Sequence, residues 1–174
     1  MSDYEKYVSL ALQIYDDAIR LLERGDVFDA AEKAWCAIEN SRKAFLIALG
    51  VSEQKASSVE FGVVFFIRVL RKLGRKDLVE KHYNFDYCLR IRGFYEPQMP
   101  VDVLSEKIYE VRRWMDEIFE LANKVKGLDL SDAIRMMDES VKLKRKILQM
   151  NMEYQRMLQQ IDAIISRAIA KSSY

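Results

Sequence analysis

Apolar residues recur every three or four positions along most of the chain, a spacing that places them on one face of a helix. The pattern predicts a first helix capped by Ser2 or Asp3 and reaching residue 24, and a second over residues 26–49. Gly25 and Gly50 follow these runs, as is typical of helix ends. The short link between the two runs indicates an antiparallel helical hairpin.

The second helix presents two apolar faces. One carries bulky side chains and is interrupted by Arg42; its members are Phe28, Ala31, Trp35, Ile38, Phe45 and Leu49. The other carries small side chains, and we expect it to let a neighbouring helix approach closely; its members are Ala30, Ala34, Ala37, Ser41, Ala44 and Ala48.

Three further helices follow in the pattern. Residues 52–74 predict one helix, and the aromatic-rich residues 75–93 predict another. Residues 96–100 hold the only two prolines and form the clearest break, because the residue before a proline disfavours helix. A fifth helix is predicted from this break to Gly127.

The last part of the chain has the most regular pattern. Residues 131–171 contain neither glycine nor proline, which predicts one uninterrupted helix of about 60 Å. Ten positions from 136 to 168 alternate steps of four and three, and nine of them are apolar, as in a coiled-coil seam. We expect this seam to make the protein a homodimer or a higher even oligomer, through Tyr154, Met157, Ile161 and Ile164. Packing of the seam back on the first helix is the alternative.

The predicted fold class is therefore all-α. We divide the chain into an antiparallel bundle of four to five helices over residues 1–127 and a long C-terminal helix over residues 128–174.

Charge and composition exclude several classes of protein. The formal net charge is +1, so the whole chain has no field that would attract nucleic acid or a membrane surface. No apolar run approaches the roughly 18 residues of a membrane span, and the N-terminus lacks the pattern of a signal peptide. Isolated Cys36 and Cys88 indicate buried free thiols, and a disulfide between them is the alternative. Together these features predict a cytoplasmic protein that does not bind membranes.

Two short motifs carry a family resemblance. Residues 23–38 combine a Gly-Asp-aromatic turn with spaced alanines and a tryptophan, and residues 89–96 form an aromatic segment ending in Phe-Tyr-Glu. In this order they resemble the HEPN superfamily of helical bundles, and most of all its archaeal PaREP1-type relatives. The resemblance covers roughly residues 4–125 and implies a bundle of four or five helices that commonly dimerises.

The resemblance also bears on catalysis. Many HEPN proteins are ribonucleases that use an arginine followed, after about four to six residues, by a proton-transferring histidine. Arg90 or Arg92 could supply the arginine, but the only histidine, His82, precedes both. We therefore identify no catalytic residue, and a lone His82 is expected to be a surface or packed side chain. The alternative is a divergent, toxin-like ribonuclease that uses Arg90, Arg92 and Tyr95.

A cationic segment is the first candidate binding site. Five cations and no acid lie between residues 61 and 76, and two arginines of the fourth helix join them if the third and fourth helices pack together. The candidate site for an anion or RNA consists of Arg68, Arg71, Lys72, Arg75, Lys76, Arg90 and Arg92. The alternative is that the helix dipole favours cations at a helix C-terminus. A later basic run, residues 142–146, is interpreted as a solvated flank of the long helix.

A polar pocket is the second candidate. Glu32, Glu39 and Arg42 share the second helix, and an arginine on a bulky face needs a carboxylate partner. A plain structural ion pair is the alternative.

Cofactor and metal sites are not predicted. One histidine and two scattered cysteines do not form a ligand set, and the six glycines are spread singly rather than in a phosphate-binding loop. The sequence favours a non-catalytic interaction module, or one responsive to a nucleotide or RNA, that acts as a homodimer.

Overall fold

A computed structural model describes residues 2–172, except for the side chains of residues 155, 158 and 160–172. The chain divides into two compact units, Met1–Ser131 and Asp132–Tyr174. The first unit holds α1 (Asp3–Glu23), α2 (Val27–Ala48), α3 (Glu53–Ser57), a first π-helix (Val59–Val63), α4 (Val64–Lys72), α5 (Lys76–Phe85), a second π-helix (Asp86–Tyr95) and α6 (Val101–Val125). Helix α7 (Ser131–Ser172) makes up the second. No strand occurs within residues 2–172, and the all-α prediction is confirmed.

The predicted hairpin of the first two helices is present. Ser2 caps α1 in a capping box: its Oγ accepts from the Glu5 amide at 3.3 Å, and its own amide donates to the Glu5 carboxylate at 2.8 Å. Gly25 has φ +83°, which a residue with a Cβ rarely adopts, and it reverses the chain into α2. Helices α1 and α2 form the most extensive helix pair of this unit.

Helix α2 lies at the centre of the first unit. It also packs against α6 and the second π-helix. Its small-residue face is enclosed, as the pattern predicts, because Ala30, Ala34, Ala37, Ser41 and Ala44 expose no surface. On the bulky face Trp35, Ile38 and Phe45 are buried, whereas Phe28 at the start of the helix is exposed.

The predicted single helix over residues 52–74 is wrong. The chain leaves the helical conformation at Ser58, where ψ is 137°, and a new helix begins with the Ser58 Oγ accepting from the Phe61 amide at 3.0 Å. A Cβ at Gly62 would overlap the carbonyl oxygen of Ala56, so glycine permits the two pieces to pack closely. The apolar period continues through the break, and the sequence pattern therefore did not reveal it.

The predicted helix over residues 75–93 extends further and changes type. It is α-helical to Phe85 and then π-helical to Tyr95. A Cβ at Gly93 would lie 2.8 Å from the Cys88 carbonyl oxygen and 3.2 Å from the Ala31 Cβ. Because glycine has no side chain, the second π-helix can lie directly against α2 at Gly93.

The sixth helix closes the bundle. Trp114 on α6 is fully buried, and its indole Nε1 donates to the Leu78 carbonyl oxygen at 3.1 Å. This bond ties α6 to α5 through a side chain whose polar atom is satisfied.

Helix α7 is uninterrupted over 42 residues, as predicted, which corresponds to about 63 Å. Its described seam residues are exposed: Met136, Leu143, Ile147, Met150, Tyr154 and Met157. The side chains of Ile161 and Ile164 lie outside the described residues. Among residues 2–172, none of the helices combines the length and apolar character that a membrane crossing needs.

Enlarging the small-residue face of α2 tests its close packing. Ala37→Leu should lower the free energy of unfolding by ~1–3 kcal/mol, because a longer side chain has no space at a fully buried position. The measurement is urea unfolding followed by circular dichroism. Ala133→Leu, at an exposed position of α7, is the control and should change little. Equal midpoints for both variants would contradict the close packing.

Candidate functional site

A cleft of about 180 Å³ lies between α2 and the second π-helix. Helix α2 contributes four of the lining residues and the π-helix three; they are Glu32, Trp35, Cys36, Glu39, Arg90, Phe94 and Tyr95. The cleft therefore joins two carboxylates, a guanidinium group and three aromatic rings.

The π-helix explains how residues of one short segment reach the cleft. A π-helical turn holds more residues than an α-helical turn and changes the direction of the side chains that follow it. Such turns occur frequently at functional sites. Here the turn brings Arg90, Phe94 and Tyr95 to the same side, facing α2.

Arg90 is held at the cleft by two contacts. Its Nε lies 2.6 Å from Asp86 Oδ1, although the two atoms do not form an aligned hydrogen bond. Its guanidinium carbon lies 5.4 Å from the ring centre of Trp35, a cation–π contact. Arg90 is therefore oriented over Trp35, with its charge balanced by Asp86.

Arg42 lies behind the cleft and is almost completely enclosed. Its side chain is 2% exposed, and the closest carboxylate is that of Glu39, with 4.0 Å between Nη2 and Oε1. Its Nε has no hydrogen-bond partner among the described residues. Burial lowers the pKa of Arg42 and the Glu39 carboxylate opposes this shift, but an arginine remains charged.

His82 is enclosed by aromatic rings. Its ring centre lies 5.6 Å from Trp35, 5.6 Å from Phe66 and 6.0 Å from Trp114. Burial, together with the positive charges of Arg42 and Arg90, lowers the pKa of His82 to about 4. The imidazole is thus neutral near pH 7 and packed in the core, a poor position for exchanging protons with an external substrate.

Unsatisfied polar atoms concentrate in this region. Within the described part of the chain, the buried side-chain nitrogens without a hydrogen-bond partner are Arg42 Nε, Arg90 Nε and both ring nitrogens of His82. Native proteins contain few such atoms, and each calls for an explanation.

The residues of the predicted cationic site lie in three environments: in ion pairs, in the cleft, and exposed without an acidic partner among the described residues. Arg75 is paired with Asp77 at 2.8 Å and also with Glu117. Arg92 is paired with Glu96 at 3.1 Å and contacts Gln98. Arg90 belongs to the cleft.

The remaining cations of that set are exposed and have no acidic partner among the described residues; they are Arg68, Arg71, Lys72 and Lys76, hereafter the basic surface. Arg71 and Lys76 line a depression of about 490 Å³ together with Val79, Glu80 and Tyr83. Tyr83 is half exposed beside them.

The residues predicted as a polar pocket are adjacent in the structure. Glu32 and Glu39 line the cleft, and Arg42 lies behind Glu39. Sequence reasoning did not assign Trp35, Cys36 or Phe94 to this site. A signal for them existed, because residues 23–38 and 89–96, the two motifs of the family resemblance, supply six of the seven lining residues.

Among the described residues, no group of three His, Cys, Asp or Glu side chains is arranged to hold a metal ion. The chemistry that the cleft offers is hydrogen bonding and stacking.

Acid should destabilise the protein through His82. The folded-state pKa of about 4 lies below the ordinary value of 6.5, so the unfolded chain binds a proton more readily. Stability contributed by neutral His82 is complete above pH 6.5 and falls between pH 6.5 and 4, by roughly 3 kcal/mol. His82→Phe should remove this component, as measured by urea unfolding at several pH values. The carboxylates titrate in both wild type and His82→Phe, so their contribution cancels when the two free energies of unfolding are subtracted. If the free energy of unfolding of both proteins changed in parallel with pH, the assignment to His82 would be contradicted.

Comparison with known proteins gives one match. The model of the archaeal PaREP1/PaREP8 family matches residues 6–115, a range that contains all of the cleft and the basic surface. No curated protein and no solved structure matches the chain. Because the family match covers more than half of the sequence, the chain belongs to the archaeal PaREP1/PaREP8 family.

Proposed function

We propose that this protein is a non-catalytic, HEPN-like module that binds RNA or a nucleotide and acts as a homodimer. The basic surface carries the proposal, because its cations are exposed and have no acidic partner among the described residues. The two sequence motifs and the hairpin of α1 and α2 support the HEPN-like fold. Free thiols at Cys36 and Cys88 support a reducing, cytoplasmic environment.

The basic surface has the composition of a nucleic-acid contact. Lysine and arginine neutralise phosphates and release counterions, and an exposed aromatic ring stacks on bases without regard to their sequence. Arg71 and Lys76 share one depression with the half-exposed ring of Tyr83. Glu80 in the same depression weakens phosphate binding there, so the affinity should be modest and depend on salt.

The buried position of His82 supports the non-catalytic part of the proposal. The chain has one histidine, and it is buried among aromatic side chains with a pKa of about 4. A general base must reach the proton that it removes. His82 does not reach the surface, so the HEPN ribonuclease mechanism lacks its proton-transfer group.

The homodimer is proposed from α7. A single helix cannot bury its own apolar stripe, and the described seam residues are exposed. Burying one large apolar side chain contributes ~1.5–3 kcal/mol, so a seam of several such residues is sufficient to drive association. Packing of this stripe on α1 of the same chain is the competing arrangement.

One observation favours the alternative of a divergent ribonuclease. Arg90 and Tyr95 line the same cleft, and in this alternative they act on an RNA backbone without a histidine. Against it, Arg92 is engaged by Glu96, and two carboxylates in the cleft repel phosphate.

The first test of this proposal is RNA binding. Wild-type protein should bind single-stranded RNA and leave it intact, with an affinity that falls as salt rises. Arg71→Glu combined with Lys76→Glu should weaken binding at least about tenfold, because two phosphate contacts become repulsive. Fluorescence anisotropy measures the affinity, and gel analysis of the same samples measures cleavage.

Two results would contradict the proposal. Lys144→Glu combined with Lys146→Glu on α7 reverses the same number of charges at two exposed lysines, and a loss of binding as large as that of the Arg71 and Lys76 variant would show that only net charge matters. Metal-independent cleavage that Arg90→Ala abolishes would establish the ribonuclease alternative.

The oligomeric state is tested by truncation and by a matched pair of substitutions. The full chain should sediment as a dimer or a higher even oligomer, and a chain ending at Gln149 as a monomer. Met157→Glu lies in the seam and should dissociate the oligomer. Met152→Glu lies outside the seam at the same 61% exposure and should not. If the full chain and the truncated chain both sediment as monomers, the seam is internal.

A further inference from the structure

One end of the cleft is cationic. Arg90 lines the cleft with its side chain 42% exposed, and its Nε lies 2.6 Å from Asp86 Oδ1 without forming an aligned hydrogen bond. Arg42, 2% exposed and also unpartnered at Nε, points at the lining residue Glu39 from behind. An arginine donates and never accepts, so the Nη groups of Arg90, which have no hydrogen bond among the described residues, can donate to an acceptor in the cleft.

A hydrogen-bond acceptor, the Glu32 carboxylate, lies elsewhere in the lining of the cleft. Glu32 is partly exposed and has no hydrogen bond or ion pair among the described residues. An ionised carboxylate only accepts, and its two oxygens can accept from two neighbouring N–H groups. The cleft thus presents a donor and an acceptor to one ligand.

Aromatic rings form the rest of the walls. Trp35 lies under Arg90, and Phe94 and Tyr95 pack against each other with 5.3 Å between ring centres. Tyr95 is 67% exposed and offers a ring face. Unstacked bases are recognised on such surfaces, between aromatic rings and guanidinium planes.

The size of the cleft limits what enters it. Its volume of about 180 Å³ is below the roughly 300–1,000 Å³ of sites that hold a drug-sized ligand. One planar ring system matches this volume better than a complete nucleotide. Phosphate is also disfavoured inside, since Glu32 and Glu39 are negative and Arg90 is balanced by Asp86.

We propose that this cleft binds a guanine base, with Arg90 donating to its oxygen edge and the Glu32 carboxylate accepting from its ring N–H and amino group. Guanine has acceptors at O6 and N7, which arginine commonly contacts, and adjacent donors on its Watson–Crick edge. Adenine carries an amino donor at the position where guanine carries O6. Adenine also lacks the adjacent pair of donors that a carboxylate could bind in guanine. The inference rests on the proposed function, because RNA and free nucleotides are the two sources of the base.

Guanosine is the decisive probe, because it has no phosphate and therefore does not depend on the basic surface. Calorimetric titration of the full chain should show binding of guanosine. Adenosine should bind at least about tenfold more weakly, since a site built to hydrogen-bond one edge rejects a base that lacks it. Inosine lacks the amino group and should lie between the two. GMP and a short single-stranded RNA with one guanine then distinguish the sources, and the tighter ligand identifies the natural one.

Two cleft variants and one control locate the site. Glu32→Gln keeps the shape of the side chain but loses the charge, and it should weaken guanosine binding about tenfold or more. Arg90→Lys keeps the charge but loses the planar fork, and we expect a similar loss. Glu106→Gln changes an exposed glutamate of α6 outside the cleft and should bind as wild type does.

The outcomes separate this inference from the proposed function. Absence of guanosine binding by folded protein, equal binding of adenosine, or unchanged binding by Glu32→Gln would each overturn the guanine site. If RNA still binds through Arg71 and Lys76 in that case, the proposed function stands. Guanosine binding that depends on Glu32, in a chain that does not bind RNA, would support the cleft and refute RNA binding at the basic surface.

Discussion

Burial of α2 on both sides is the constraint on which the first unit depends. Its small-residue face exposes no surface from Ala30 to Ala44, so the backbone of a neighbouring helix can lie close to it, and only Ala48 at the end of the helix is partly exposed. Its bulky face anchors Trp35, Ile38 and Phe45 in the core. Arg42 lies on that same bulky face, where burial of a charge is costly unless a partner is near. Helix α2 therefore forms the centre of the core and also holds the buried charge of Arg42 behind the cleft.

The cleft results from the way the second π-helix meets α2. Gly93 has no side chain at the closest approach, which lets the π-helix lie against Ala31, and the π-helical turn directs Arg90 over Trp35. Neither feature alone would place a guanidinium group beside the glutamates of α2. The two motifs that resemble a known family are distant in sequence, and in the fold they form the opposite walls of one cleft.

Periodicity and glycines were sufficient to predict the helices whose ends are set locally. The capping box at Ser2 and the positive φ of Gly25 depend on neighbouring residues, and both ends of α1 were predicted. The break at Ser58 was not, because the apolar period continues across it and the close approach of Gly62 to Ala56 depends on packing. The π-helix and the position of Arg90 were also missed. They depend on packing against α2, which single-sequence reasoning does not determine.

Charge is distributed differently on the basic surface and in the cleft. The cations of the basic surface have no ion pair among the described residues, and one acid, Glu80, lies in their depression. In the cleft, by contrast, Arg90 and Arg42 lie beside Asp86 and Glu39, and Glu32 has no ion pair among the described residues. This difference is the reason for proposing phosphate contacts at the first region and a neutral ring in the second. His82 lies beneath Trp35 as a neutral packing residue. Protonation of His82 would place a further positive charge beside the buried Arg42 and the partly exposed Arg90, and the fold therefore keeps this imidazole neutral.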